Sequence, residues 1–135
     1  MGQLGRAIQK QRQRAGKQDR DRGSHNEDLV LLALRRDSRP WWLRSARPAT
    51  TAEDYSSGVD IIVDDEQCGS LYLQVKSSSR QARKWRAERR KKHPNDKRLI
   101  ETVVVPPDGD LAVVYGRALG ALILLRERSG KLPPL

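Results

Sequence analysis

Apolar residues first gather at Leu29-Val30-Leu31-Leu32-Ala33-Leu34, preceded by Ser24-His25-Asn26-Glu27 in the form of an N-terminal capping box. Together they predict a helix from residue 24 to about residue 36. Glu27 shares its stripe with Val30, Leu31 and Leu34, following the i, i+3, i+4, i+7 rule, so its carboxylate is expected to tilt toward the core. Residues 41–45 after Pro40 read as a short strand, and the Pro-, Thr-, Ser- and acid-rich residues 47–57 as a loop. Residues 58–63 and 70–76, β-branched and apolar on either side of a turn-prone Asp64-Asp65-Glu66-Gln67-Cys68-Gly69, predict two antiparallel strands. Ser77-Ser78-Ser79 then offers caps for a basic helix over residues 80–92, which His93-Pro94-Asn95 stops. Residues 102–105 and 111–115 flank Pro106-Pro107-Asp108-Gly109 and predict a second hairpin, while residues 116–128 mix Leu, Ile and Ala without a decisive period. Residues 1–22 carry scarcely an apolar side chain after Ile8 and predict a flexible basic arm.

The 135 residues suit a single domain, residues 23–135, behind that arm. Cys68 is the only cysteine, which excludes a disulfide framework and a thiolate zinc cluster and suits a reducing, cytoplasmic setting. No run approaches the roughly 18 apolar residues of a membrane span, so a soluble protein with no membrane partner is expected. The net charge of +10 changes the picture more, because two segments hold all of it. Residues 1–22 carry seven Lys/Arg against two Asp, and residues 80–98 ten Lys/Arg against Glu88 and Asp96, leaving the body slightly acidic. Basic appendages on such a body fit a polyphosphate, since each neutralised phosphate releases condensed counterions. Nucleic acid is the leading partner, DNA first and RNA as the alternative, with anionic lipid and a ribosome-like RNA surface as competitors that charge alone does not separate. Its expected contacts are Arg12, Arg14 and Lys17 of the arm, and Arg80, Arg83, Lys84, Trp85, Arg86, Arg89, Arg90, Lys91 and Lys92 of the basic helix. Trp85, between Lys84 and Arg86, is placed either to stack on a splayed base or to pack on the sheet.

Side chains alternate across a strand, so Gln74 and Lys76 point to one face with Tyr72, and Leu71, Leu73 and Val75 to the other. In the preceding strand Val59, Ile61 and Val63 are expected to share a face, leaving Asp60 opposite with Ile62. If the strands pair, Asp60, Gln74 and Lys76 converge at one end of the sheet. The trio suits phosphodiester hydrolysis, in which a hard cation takes oxygen ligands, keeps waters, and polarises both the phosphate and an attacking water. Asp60 is the anionic ligand, the Gln74 amide oxygen and the Val75 carbonyl are neutral ones, and Lys76 positions the water or stabilises charge on the phosphorane. Glu27 supplies a second carboxylate.

Gly23 with Glu27 on the first helix, Gly58-Val59-Asp60, and Gln74-Val75-Lys76-Ser77 resemble the spaced motifs of the PD-(D/E)XK nuclease superfamily. The short helix-first layout is similar to archaeal-type Holliday junction resolvases, and the resemblance spans roughly residues 23–105. It implies an α/β, restriction endonuclease-like αβββαβ core with a central mixed sheet flanked by helices, Mg²⁺ or Mn²⁺ dependence, and in-line attack by water. By that resemblance Glu27, Asp60 and Gln74 are the metal group and Lys76 the catalytic lysine, in an endonuclease for branched or otherwise structured DNA that works as a homodimer. The sequence departs from the pattern where Val59 replaces the usual proline and, more importantly, where Gln74 replaces an acid. The loss of a negative charge at Gln74 leaves a non-catalytic DNA- or RNA-binding protein on the same fold as the alternative.

Duller roles are open to each of these residues: Glu27 in its capping box, Asp60 at a solvated strand start, Gln74 and Lys76 on an ordinary polar strand face. Asp64, Asp65 and Glu66 are read as solvated turn residues, Glu53 and Asp54 as loop acids near the motif, and Trp41 and Trp42 as packing residues.

Overall fold

The computed structural model describes residues 23–52 and 58–134. The basic arm, with Arg12, Arg14 and Lys17, and the loop acids Glu53 and Asp54 lie outside the described residues. Helix α1 covers residues 23–34; it is followed by β1 (Leu43–Pro48), β2 (Ile61–Asp65), β3 (Gly69–Lys76), α2 (Ser79–Lys92), β4 (Ile100–Val104) and α3 (Leu111–Ser129). The strands form one mixed sheet in the order β1-β2-β3-β4. β1 and β3 run antiparallel to β2, and β4 runs parallel to β3 after the α2 crossover. This is the expected α/β order of helix, three strands, helix and strand, except that the stretch expected as a loop begins inside β1 and is helical at residues 51–52.

Alternation along the strands sorts the core into two layers. Ile61, Val63, Leu71, Leu73, Val75 and Val103 face α1 and α3, where Val30, Leu34, Val114, Ala118, Leu122 and Leu125 complete the larger cluster. Leu73 is fully buried there, and at such a site truncation to alanine costs roughly 2–5 kcal/mol. On the other face Val59, Ile62 and Ile100 form a smaller cluster against Tyr72 and Trp85. α2 covers that face with a narrow stripe: Ala82 is buried and Trp85 and Arg89 half-buried, at i, i+3 and i+7, so most of its other positions are left to charged residues.

Four expectations are corrected. Residue 23 is already helical, so Ser24 lies inside α1 rather than capping it. β1 begins at Leu43, not at the tryptophans; Trp41 is 70% exposed and Trp42 packs partly against the core. The second hairpin does not exist: residues 111–115 open a 19-residue helix. Asp110 sets its start, its side chain accepting from Ala112 N–H at 2.9 Å and Val113 N–H at 3.2 Å, and Gly130 ends it in the left-handed region at φ +69°. The cap and the burial of Val114 against the sheet outweigh the strand preference of two adjacent valines. Finally, Asp65 is no solvated turn residue. It is almost wholly buried, with one carboxylate oxygen accepting from Gln67 and Cys68 N–H and the other from Arg126 of α3, whose guanidinium also reaches Gln67 Oε1 and lies 4.0 Å over the Trp42 ring.

Candidate active site

Asp60 reaches its position through an irregularity in the sheet. Ile61 pairs with Leu73, yet the Asp60 N–H also donates to the Leu73 carbonyl at 3.0 Å, so two residues of one strand oppose one of the other. Such a bulge shifts the alternation by one and re-aims a side chain. Two consequences follow. Val59, expected beside Ile61 and Val63, packs on the other face with Ile62. The Asp60 carboxylate turns along the sheet to the end of β3, where Oδ2 accepts from the Val75 N–H at 2.7 Å. The Asp60 carbonyl meanwhile accepts from the N–H of Ala49, the residue after β1, at 2.9 Å, so the residue is held from both sides.

Within β3 the backbone directions are set by its neighbours. Lys76 C=O accepts from Val105 N–H, which turns the even residues toward β4, while Leu73 and Val75 turn toward β2. The N–H and C=O of one residue point the same way in a strand. The Val75 carbonyl is therefore on the side of Asp60.

Gln74 and Lys76 point to the α2 face, as expected. Lys76 is half-buried. Gln74 is 93% buried, being 7% exposed, and its Oε1 accepts no hydrogen bond. An amide oxygen shut away from water without a donor costs roughly 1–3 kcal/mol, so its retention calls for a partner, a role open to an ordered water or to a cation. At the end of β3 the Asp60 carboxylate and the Val75 carbonyl therefore lie on the β2 side and the Gln74 amide oxygen on the α2 face, oxygen donors of the kind that hard divalent ions take.

Other expected members sit differently. Glu27 is half-buried on its α1 stripe, but α1 packs on the face of the sheet opposite to the one that Gln74 and Lys76 share. Among the described residues no three His, Cys, Asp or Glu side chains form a group that could hold a metal. Trp85 takes the packing role: it closes the smaller cluster, its Nε1 lies 3.6 Å from where a Cβ on Gly58 would stand, and Arg89 sits 5.7 Å from its ring centre. Arg89 is partly occupied as well, pairing with Asp96 at 3.3 Å. Arg80, Arg83, Lys84, Arg86, Arg90, Lys91 and Lys92 are exposed.

The turn from β3 into α2 contributes residues that the motif reading passed over. Ser78 caps the helix by accepting from Gln81 N–H at 3.1 Å, and Gln81 Oε1 accepts from both the N–H (3.2 Å) and the hydroxyl (2.7 Å) of Ser77. This clamp fixes the residue after Lys76 and places the start of α2, the positive end of its dipole, beside the site. A hydroxyl and an amide four residues apart at a predicted helix start were the available signal. No protein-family model, curated protein or solved structure matches the chain.

Proposed function

We propose that the chain is a divalent-metal-dependent nuclease of the PD-(D/E)XK type that hydrolyses DNA phosphodiester bonds. The observation that carries this reading is the junction at the end of β3: a carboxylate re-aimed by a bulge, a buried amide oxygen with no donor, and a lysine on the same face two residues on. Asp60, Gln74 and the Val75 carbonyl hold the ion. When bound, Mg²⁺ or Mn²⁺ supplies charge neutralisation at the phosphate and a more acidic water. The chain does the rest. The Val75 N–H fixes the Asp60 carboxylate, Lys76 holds its ammonium toward charge building on the phosphate, and the exposed cations of α2 bind the backbone without reading base sequence.

With one carboxylate where the superfamily pattern has two, the site is expected to bind its metal weakly. The absence of a three-membered acidic or histidine group among the described residues favours, as a second reading, a DNA- or RNA-binding protein without catalysis.

Cleavage of a labelled four-way junction and its matching linear duplex, in Mg²⁺, Mn²⁺ or EDTA, separates the two. Metal-dependent cutting that falls on the order of 10²-fold or more in both Asp60→Ala and Lys76→Ala is the expected result. Tight, salt-sensitive binding with no cutting in any metal supports the second reading instead.

A further inference from the structure

β4 is the outer strand of the sheet, yet its open edge is largely closed by side chains of β4 itself and of α3. The bonds from Tyr72 N–H to Leu99 C=O and from Val105 N–H to Lys76 C=O turn the odd residues of this segment inward, leaving residues 102 and 104 facing out. Glu101 Oε1 accepts the outward Thr102 N–H at 2.9 Å, and Arg117 of α3 donates to the outward Val104 carbonyl at 3.0 Å. A peptide adding as a fifth strand has to displace both, so this edge is built against strand addition.

Two hollows of about 290 and 410 Å³ nevertheless lie along this edge between α2 and α3, and they share Arg86 and Glu101. Arg89, Arg90 and Arg128 line the first, with Trp85 beside them; Ser79 and Arg117 line the second. Five guanidinium groups thus meet one carboxylate, and Arg128 already engages that carboxylate at 3.3 Å. The groove is also continuous with the candidate site. Ser79 stands three residues after Lys76, and Val104 pairs with Lys76 in the sheet. From Val104 back to Ile100 the strand runs about 13 Å, at about 3.3 Å per residue.

We infer that this groove takes an unpaired strand of the nucleic-acid substrate and leads it to Asp60 and Lys76. The inference rests on the nuclease reading and deepens it by naming the substrate class. Phosphates meet Arg86, Arg117 and Arg128, and bases lie against the guanidinium planes and the part of the packed, half-buried Trp85 that still lines the groove, the combination of charge and stacking that single strands select. Hollows of this size do not admit a double helix. The preferred substrate is therefore DNA with an unpaired segment, such as an overhang, a flap or an opened junction arm, over an intact linear duplex.

The test is equilibrium binding of the full chain in EDTA, read by fluorescence anisotropy, to a labelled duplex with a single-stranded overhang and to the same duplex with blunt ends. Arg86→Glu is the main variant, because Arg86 is exposed, and Arg117→Gln is the second. Arg83→Glu, exposed on α2 outside the groove, is the charge-matched control. Arg86→Glu is expected to weaken overhang binding about tenfold and to reduce its log–log salt slope by about 0.7, the share of one single-strand phosphate, with less than about threefold change on blunt duplex. Arg83→Glu is expected to affect both DNAs alike. Equal losses on both DNAs with Arg86→Glu overturn the inference, as does displacement of the overhang by polyglutamate as efficiently as by an oligothymidylate of matched charge. Because no cleavage is involved, a failure of the nuclease reading appears separately, as absence of cutting in any metal.

Discussion

Replacing Arg126 with methionine keeps most of the volume of the side chain but strips the Asp65 carboxylate of the guanidinium paired with it in a place water does not reach. The Asp65 side chain has no exposed surface and that of Arg126 only 9%. Asp65 retains the N–H groups of Gln67 and Cys68, which hold one oxygen, while the other loses the guanidinium. Stranding one member of a buried pair costs roughly 3–5 kcal/mol, and the cation–π contact with Trp42 adds about 0.5–2 kcal/mol. Against a total stability of roughly 5–15 kcal/mol, such a loss is a large fraction. Arg126→Met is thus expected to lower the urea midpoint sharply and to reduce Tm by about 10 °C or more, read by tryptophan fluorescence, to which Trp42 reports directly. The double variant Asp65→Asn/Arg126→Met is expected to recover part of the loss, about 1–2 kcal/mol, because the amide keeps the turn hydrogen bonds and leaves no unpaired charge. A cost below about 1 kcal/mol for Arg126→Met, or no recovery in the double variant, refutes this account of the pair.

Gln74→Glu returns a negative charge to the strand end. Even at the screened limit of about 1 kcal/mol per unit-charge pair at 4 Å, a divalent ion gains about 2 kcal/mol, so the half-saturating Mg²⁺ concentration in a cleavage titration is expected to fall on the order of tenfold or more. An unchanged or higher metal requirement removes Gln74 from the ligand set. Asp96 gives a pH signature: its hydrogen-bonded pairing with Arg98, reinforced by Arg89, holds the carboxyl well below the usual range. A depressed carboxyl stabilises the fold above its unfolded pKa of about 3.9 and loses that contribution as pH falls below it. Urea midpoints of wild type and Asp96→Asn are therefore expected to differ at neutral pH and to converge on acidification through that value; a difference that persists unchanged at pH 2 contradicts the pairing.

The parts of the fold that local chemistry dictates were legible in the sequence. Ser77-Ser78-Ser79 before a long run of helix formers placed α2 within a residue, and two β-branched runs around a turn placed β2 and β3. The face shared by Gln74 and Lys76 followed from alternation alone. What escaped depends on distant contacts. Arg126 and Asp65 are 61 residues apart in sequence, so no window on the chain shows that a turn aspartate is a core residue. The bulge at Asp60 is a property of two paired strands, and it displaced Val59 from its expected face. For α3 the signal was present but outvoted. Val113-Val114 after Pro-Pro-Asp-Gly favours a hairpin, and once α3 is read as a strand and a tail, Arg117 and Arg128 no longer fall along one helix and the groove they line cannot be seen.

The bulge also ties the chemistry of the site to the integrity of the sheet in time. The Val75 amide lies at the far end of β3 and is held by a side chain rather than by a strand partner. Its hydrogen exchange therefore reports a different opening from the exchange of neighbouring ladder amides: a local release of Asp60, and with it the loss of one oxygen from the strand end. A protein that frays there while keeping its core remains folded by every optical measure and yet lacks the Asp60–Val75 hydrogen bond. On the proposed nuclease reading, the fraction of molecules with the strand end assembled follows the free energy of this local opening, which the protection of that one amide reports, rather than global stability.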